Sequence, residues 1–220
     1  MPSALLREQS LHVERPLPRA LWPYRDMSEI SKKIDEIVKV GLAPLLKSHG
    51  FKKKARNFYR ECEDRIELIN VQASQFNAGT EGQFTVNVGV YITAISEITD
   101  APPVKGMPKE YDCTVRERIG LLSSENKDTW WSVDSNVDIK NIGTDLASSV
   151  EALCLPWLAR MENLENLKVE AAKRVPLIAA GVALYQGNKQ EAKAYLEQCI
   201  KQKPLAKSRT VAWGKKHGLI

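Results

Sequence analysis

The sequence predicts an α+β fold in which an antiparallel β-sheet packs against helices, with a helical hairpin as a C-terminal extension. Three observations lead to this prediction. Helical spacing of apolar residues near residue 30 gives way to apolar–polar alternation between about residues 57 and 92. A long amphipathic segment then ends near Met161, and the chain beyond it has helical periodicity only. Short links between the strands favour antiparallel pairing.

The first helix is predicted to begin after Ser28, whose side chain can cap it. Gly50 is expected to end this helix, and Pro44 to bend it near that end. Its apolar residues recur at helical spacing: Ile30, Ile34, Ile37, Val38 and Leu45.

Alternation of period two marks the strands. The segments NFYREC, RIELINVQA and QFTVNVGVYI are predicted strands, and the last is the most regular. Its apolar face consists of Phe84, Val86, Val88 and Val90. YDCTVRERIGLL and DTWWSVD are expected to add strands or edge segments, and a helix from about Thr144 to Met161 is expected to cover one side of the sheet.

The domain organisation follows from these patterns. Residues 1–26 contain four prolines and no period, which indicates an extended leader whose order stays open. Residues 27–162 form the α+β domain, and residues 163–220 form a helical extension with a basic tail. The hairpin in this extension is expected to pack on the body or on a second copy of the chain. Trp213 is either its anchor or a partly exposed terminal aromatic.

The amino-acid composition restricts the kind of protein that this chain can be. A hydrophobic content of 43% is enough for a buried core, and no stretch approaches the roughly 20 apolar residues of a membrane span. Four scattered cysteines form no CxxC pair, so we expect reduced thiols, a cytoplasmic protein and no association with membranes. Residues 201–220 carry a charge of +6 out of a net +5, so the body is nearly neutral. The basic tail is then expected to be a solvated end.

Catalytic motifs are missing from the sequence. It contains no phosphate-binding GxxxxGK[ST], no GxGxxG after a strand, no GxSxG and no HExxH. The sequence has three histidines, His12, His49 and His217, and none lies in a convincing catalytic site. Two acid pairs, Asp112 with Glu117 and Asp134 with Asp138, are more typical of an ordinary surface. We therefore expect no enzymatic activity, no metal and no cofactor.

Polar residues on two predicted strands are candidates for binding. Asn70 and Gln72 share one strand face, and Thr85, Asn87 and Tyr91 share the polar face of the next strand. If the two faces coincide, the sheet presents amides and hydroxyls suited to a peptide or polar ligand. The alternative is an ordinary solvated sheet face.

Basic and aromatic residues form a second group of candidates. Arg116 and Arg118 lie near Trp130 and Trp131 only if the fold brings them together. Lysines and arginines also cluster between Lys52 and Arg60. Such groups can bind single-stranded nucleic acid, but a solvated charge run is the preferred interpretation, because the nearly neutral body lacks a wider basic field. One of the two tryptophans is expected in the core, because neighbours on a strand face opposite ways.

Several blocks in order carry a family resemblance. They are LLKSHGFKKKARNFYR, INVQASQFNAGTEGQFTVNVGVYI, CTVRERIG, the Trp130–Trp131 pair and LPWL at residues 155–158. Over about residues 34–161 the chain resembles a bacterial family known as domain of unknown function 4304. The resemblance implies an α+β fold with an antiparallel sheet, and it brings no catalytic residues. Residues 177–204 are similar to a single tetratricopeptide-type hairpin.

The sequence favours a non-catalytic protein-binding module, in a setting such as toxin neutralisation or bacterial defence. Its expected partner is another protein, and self-association into a homo-oligomer stays open. The alternative is a nucleic-acid-associated protein that uses the basic tail and the Lys52–Arg60 cluster, although we expect weak or no nucleic-acid binding. An unrecognised enzyme is the third reading.

Overall fold

The fold is described from a computed structural model, over residues 29–77 and 80–220. The predicted leader, residues 1–26, lies outside the described residues. The architecture is mixed α+β: a six-stranded antiparallel sheet, helices on one of its faces, and further helices at the C-terminal end. This confirms the fold class that the sequence predicts.

The N-terminal helical segment contains α1 (Glu29–Ile37), a π-helical turn (Val38–Leu42) and α2 (Ala43–Ser48). Gly50 follows at φ 82°, a conformation that ends helices and favours glycine. Gly41 within the π turn lies against Gly143 of a later helix. A Cβ at Gly41 would lie 2.1 Å from the Gly143 carbonyl oxygen, so the two helices approach at a distance that excludes larger side chains.

The sheet has the strand order β1–β2–β3–β4–β5, and β6 pairs with β4 alongside β5. Its strands are β1 (Lys52–Lys54), β2 (Asn57–Glu61), β3 (Ile66–Ala73), β4 (Gly82–Tyr91), β5 (Val115–Arg118) and β6 (Trp131–Val133). The sequence predicts the other five strands but not β1, whose three exposed lysines carry no alternation. A short helix, α3 (Thr93–Ile98), follows β4 and was also not predicted.

The main core lies between one sheet face and the helices. The apolar face of β4 is fully buried there, beneath α1 and the helical segment formed by α4 (Ile139–Ser149), a π turn (Val150–Cys154) and α5 (Leu155–Met161). This segment begins five residues before the predicted start at Thr144. The reason is a cap, since the Asp138 carboxylate accepts hydrogen bonds from the backbone N–H groups of Lys140 and Asn141, each at 3.0 Å.

The C-terminal extension consists of four helices: α6 (Leu164–Arg174), α7 (Pro176–Tyr185), α8 (Lys189–Gln202) and α9 (Lys207–Lys216). The predicted hairpin is α7–α8, and Asn188 caps its second helix by accepting from Glu191 N at 3.1 Å. Lys168 of α6 is 2% exposed and donates to Glu165 and Glu191, at 3.0 and 2.7 Å. This buried ammonium joins α6 to the hairpin.

The extension packs on the body through α3. Gly181 of α7 lies so close to Thr99 that an added Cβ would be 2.5 Å from its methyl carbon. Trp213 of α9 is 4% exposed, and its Nε1 donates to the Ile98 carbonyl at 2.8 Å. Trp213 is therefore an anchor. The basic side chains of residues 201–216 are exposed, as expected of a solvated end, but residues 207–216 form a helix in which Thr210 and Trp213 are buried.

No helix among the described residues is long and apolar enough to cross a membrane.

Replacing Val88 with Asp is expected to unfold the domain, because Val88 is 0% exposed and a carboxylate there would have no partner. That penalty is comparable with the whole free energy of unfolding of a typical domain, about 5–15 kcal/mol. Circular dichroism during urea denaturation measures the loss. The matched control is Gln83→Asp, at an exposed position of the same strand. A soluble Val88→Asp variant that unfolds cooperatively would contradict this architecture.

Amides of α7 and α8 are expected to exchange hydrogen as slowly as those of β3 and β4, because the hairpin is buried against α3. Gly181→Val should speed exchange in the hairpin while the sheet stays protected, since the new side chain meets Thr99. Ala194→Val, at an exposed position of α8, is the control. Fast exchange across residues 177–200 in the unmodified protein would show that the hairpin is a free arm.

Candidate functional site

The sheet face opposite the helices has an apolar end and a polar end. At the apolar end Tyr59, Leu68, Tyr91 and Cys113 pack together, with Val104 and Met107 from the segment after α3 over them. Burial raises the pKa of the Cys113 thiol to about 12 and also raises the pKa of Tyr59. Tyr91, a predicted binding residue, is therefore covered and 7% exposed.

The polar end carries a row of side-chain amides across three strands. Asn57, Asn70 and Asn87 lie directly opposite one another on β2, β3 and β4. Asn70 Nδ2 donates to Asn57 Oδ1 at 2.9 Å, and Asn87 Nδ2 donates to Asn70 Oδ1 at 3.1 Å. Asn87 Nδ2 also donates to Gln72 Oε1 at 2.8 Å. We call these four residues the amide row.

The amide row confirms that the two predicted strand faces coincide. Gln72 is exposed and Asn70 is half-buried, whereas Asn87, on the last strand of the row, is 7% exposed. Thr85 lies on the same face but is 0% exposed, because its hydroxyl donates to the Thr129 carbonyl at 2.8 Å. Thr85 therefore holds the segment before β6 in place and has no surface of its own.

The row continues onto β5, where Arg118 lies opposite Asn87. Arg118 donates to Asp128 at 2.6 Å, and its guanidinium carbon lies 5.2 Å from the centre of the Trp130 ring. Trp130 Nε1 donates to the same Asp128 carboxylate at 3.0 Å. One carboxylate and one cation–π contact thus hold Arg118 and Trp130 together.

Two more ion pairs complete this edge. Arg116 of β5 pairs with Glu110, and Arg174 of α6 pairs with Glu117 of β5. Together with Arg118–Asp128, three arginines and three carboxylates surround a depression of about 280 Å³. We call it the polar groove, and its lining residues are Asn87, Glu110, Arg116, Glu117, Arg118, Leu121, Asp128 and Arg174. Its charges balance, so it offers directional hydrogen bonds without a strong net field.

The structure separates the two neighbouring tryptophans. Trp130 lies on the polar face, whereas Trp131 pairs with Phe84 in register and lies in the core. The Trp131 ring stacks on Phe84 with centroids 5.5 Å apart, and its Nε1 donates to Asp145 at 2.7 Å. The expectation that one of the two is a core residue is confirmed. Trp131 is 6% exposed and is not part of the polar groove.

The other charged candidates are used within the fold. In the Lys52–Arg60 cluster, Arg56 pairs with Asp35 and Arg60 pairs with the buried Glu67, each at 2.6 Å. The lysines of β1 remain exposed. Among the acids, Asp112 accepts from Lys109 N at 2.8 Å, Asp134 from Asn136 N at 2.7 Å, and Asp138 caps α4. These carboxylates stabilise turns and a helix start. Within residues 29–77 and 80–220, no group of three or more His, Cys, Asp or Glu side chains could hold a metal ion.

Sequence reasoning missed several residues of this site. Asn57 could have been found, because it follows the same alternation as Tyr59 and lies at the start of a predicted strand. Glu110, Asp128 and Arg174 carry no local signal. They reach the groove from a short 3₁₀ helix, the irregular segment before β6 and a distant helix, and only the packing brings them there.

Comparison with known proteins gives one result. A family model described as a domain of unknown function (DUF4304) matches residues 42–160, more than half of the chain. No curated protein and no solved structure matches. The chain belongs to the DUF4304 family, which confirms the resemblance seen in the sequence.

Replacing Asn87 with Ala is expected to lower the free energy of unfolding by about 1–3 kcal/mol. The variant loses two hydrogen bonds and leaves the amide oxygens of Asn70 and Gln72 without the donor that Asn87 provides. Urea denaturation measures the change. Gln72→Ala removes one of the same hydrogen bonds at an exposed position and should cost less than about 1 kcal/mol. Equal losses in the two variants would contradict the larger contribution assigned to the buried Asn87.

Proposed function

We propose that this protein is a non-catalytic binding module that acts in the cytoplasm and recognises an extended segment of another protein through the polar groove. One observation carries the proposal. The amide row leads to Arg118 of β5, which forms one of the three arginine–carboxylate pairs of the polar groove. Within the described sheet, β5 pairs with a neighbouring strand on one side only.

The chemistry of the groove suits a polypeptide. Side-chain amides and guanidiniums both recognise the peptide group and polar side chains through hydrogen bonds. Arginine and tryptophan are also the residue types most enriched where binding energy concentrates in protein interfaces. Trp130 and Arg118 are preorganised by Asp128, so binding loses little side-chain entropy there.

The position of β5 favours a segment in extended conformation. β5 is the last strand on its side of the described sheet path, and it pairs with β4 alone. Extended peptides commonly pair with such an edge strand through backbone hydrogen bonds. Groups on the sheet face then contact the side chains of the peptide. Arg116 and Arg118 project from β5 on the face that carries the amide row.

The lining of the groove supports binding more than acid–base catalysis. Its described residues include no histidine, cysteine or serine. Each of its three carboxylates already accepts a hydrogen bond from an arginine. Such groups are placed to orient a ligand, whereas a catalytic base or nucleophile needs a free acceptor or a reactive atom.

The biological setting belongs to the same proposal: the module serves toxin neutralisation or bacterial defence. The nucleic-acid alternative has less support. Arg56 and Arg60 of the basic cluster are engaged by Asp35 and Glu67, and Lys216 of α9 pairs with Asp100. Exposed lysines remain on β1 and α9 and provide positive charge. Among the described residues, they lack the neighbouring aromatic surface on which the bases of a single strand stack.

Site-specific photocrosslinking in the native host tests the proposal. A photoreactive residue at Gln72, exposed beside the groove, should capture a discrete protein. The same residue at Lys47, exposed on α2, is the control and should not capture it. Capture of a second copy would instead show self-association, and recovery of RNA or DNA would favour the nucleic-acid alternative.

Charge reversal then links the captured protein to the groove. Arg118→Glu should weaken its binding at least tenfold, because the variant breaks the contact with Asp128 and places like charges together. Lys47→Glu, at the control position, should leave the affinity unchanged. Equal affinity in both variants would contradict recognition through the polar groove.

A further inference from the structure

A second cavity lies on the other side of the Arg174–Glu117 ion pair. Its volume is about 780 Å³, well above that of the polar groove. The walls come from the turn Ile119–Leu122, the helical segment around Leu153 and Pro156, and α6. We call it the helix cleft. Its apolar lining consists of Leu121, Leu122, Ala152, Leu153, Pro156 and Trp157.

The charged residues of the helix cleft differ in exposure: its carboxylates are buried more deeply than its cations. Glu117 and Glu170 are its less accessible charges, with side chains each 11% exposed. The cations Arg160, Lys173 and Arg174 are 54%, 60% and 52% exposed, so they reach further into solvent. Three cations face two carboxylates, and the cleft carries an excess of one positive charge.

The cations have unused hydrogen-bonding capacity. Arg160 donates to Glu170 at 3.5 Å, at the limit of a hydrogen bond, and Lys173 donates to the same carboxylate at 2.9 Å. A guanidinium has five N–H donors and an ammonium three. Most of these donors are therefore free for an anion at the mouth of the cleft, while both carboxylates are already paired.

Trp157 adds an independent observation. This residue lines the helix cleft and is 4% exposed, yet its indole Nε1 is buried with no hydrogen-bond partner in the protein. An indole N–H can only donate, and buried donors are nearly always paired. A ligand that packs against the indole ring would change the surroundings of this N–H, which therefore reports on occupancy of the cleft.

We propose that the helix cleft binds a small organic carboxylate whose apolar body packs against Trp157 and the leucines. Its carboxylate engages Arg160 and Lys173. An organic cation fits less well, because it would have to displace an arginine or lysine from each carboxylate. The proposal does not depend on the partner of the polar groove, since Arg160, Lys173 and Trp157 lie outside that groove.

Indole N–H resonances of the ¹⁵N-labelled protein test the proposal, with 3-phenylpropionate as the probe. The Trp157 peak is identified by its loss in Trp157→Phe, or by backbone-linked assignment if that variant does not fold. Titration to about 10 mM, which largely fills a site of millimolar affinity, should move this peak saturably. 3-Phenylpropionamide has the same body without the charge and should bind at least tenfold more weakly.

The double variant Arg160→Gln with Lys173→Gln should weaken binding of 3-phenylpropionate about tenfold, which is about 1.4 kcal/mol. Both positions are exposed, so the fold should be retained. Lys140→Gln with Lys193→Gln, two exposed lysines elsewhere, is the matched control. The proposal is overturned if the Trp157 peak does not move, or if the neutral amide moves it equally. Movement of the Trp130 peak alone would place the probe beside Arg118 at the edge of the polar groove and would also overturn it.

Discussion

The register of β3 against β4 determines what each face of the sheet carries. Eight residue pairs, from Ile66 with Tyr91 to Ala73 with Phe84, connect the two strands. In this register Ile69 meets Val88 beneath the helices, and Asn70 meets Asn87 on the opposite face. A slip by one residue would place the amides in the core and the valines against the loops, so burial of the valines strongly specifies this register. The amide row thus follows from the same constraint that builds the core.

The two sheet faces differ in what covers them. The helix-side face is mainly apolar, but it also carries Arg60 and Glu67 opposite each other and Glu117 opposite Val88. Glu67 is 0% exposed and is compensated by Arg60 and Arg65. On the opposite face, Cys113 packs on Gly89 so tightly that a Cβ there would lie 2.7 Å from its sulfur, and at the other end the segment before β6 covers Thr85. Between them, the side chains of the amide row are hydrogen-bonded to one another, which reduces the cost of partial burial.

The C-terminal extension contributes to the site as well as to stability. Docking of α7 on α3 places α6 beside β5, and Arg174 at the end of α6 then reaches Glu117. This single ion pair separates the polar groove from the helix cleft. Lys168, buried between α6 and the hairpin, couples the position of that pair to the packing of the extension. α6, which follows the part of the chain that the family model matches, residues 42–160, thus lines both cavities.

The sequence by itself determined the features that depend on local physics. Alternation placed Asn70, Gln72 and Asn87 on polar strand faces, and capping and turn residues located the α7–α8 hairpin. It also assigned the family, and it required one of the adjacent tryptophans to face the core. Tertiary structure decided the rest. Only the pairing of β6 with Phe84 selected Trp131 for the core, and only the loop after α3 buried Tyr91. Arg174, Glu110 and Asp128 reach the groove from separate elements, so their meeting depends on long-range packing, which leaves no periodic signal in the chain.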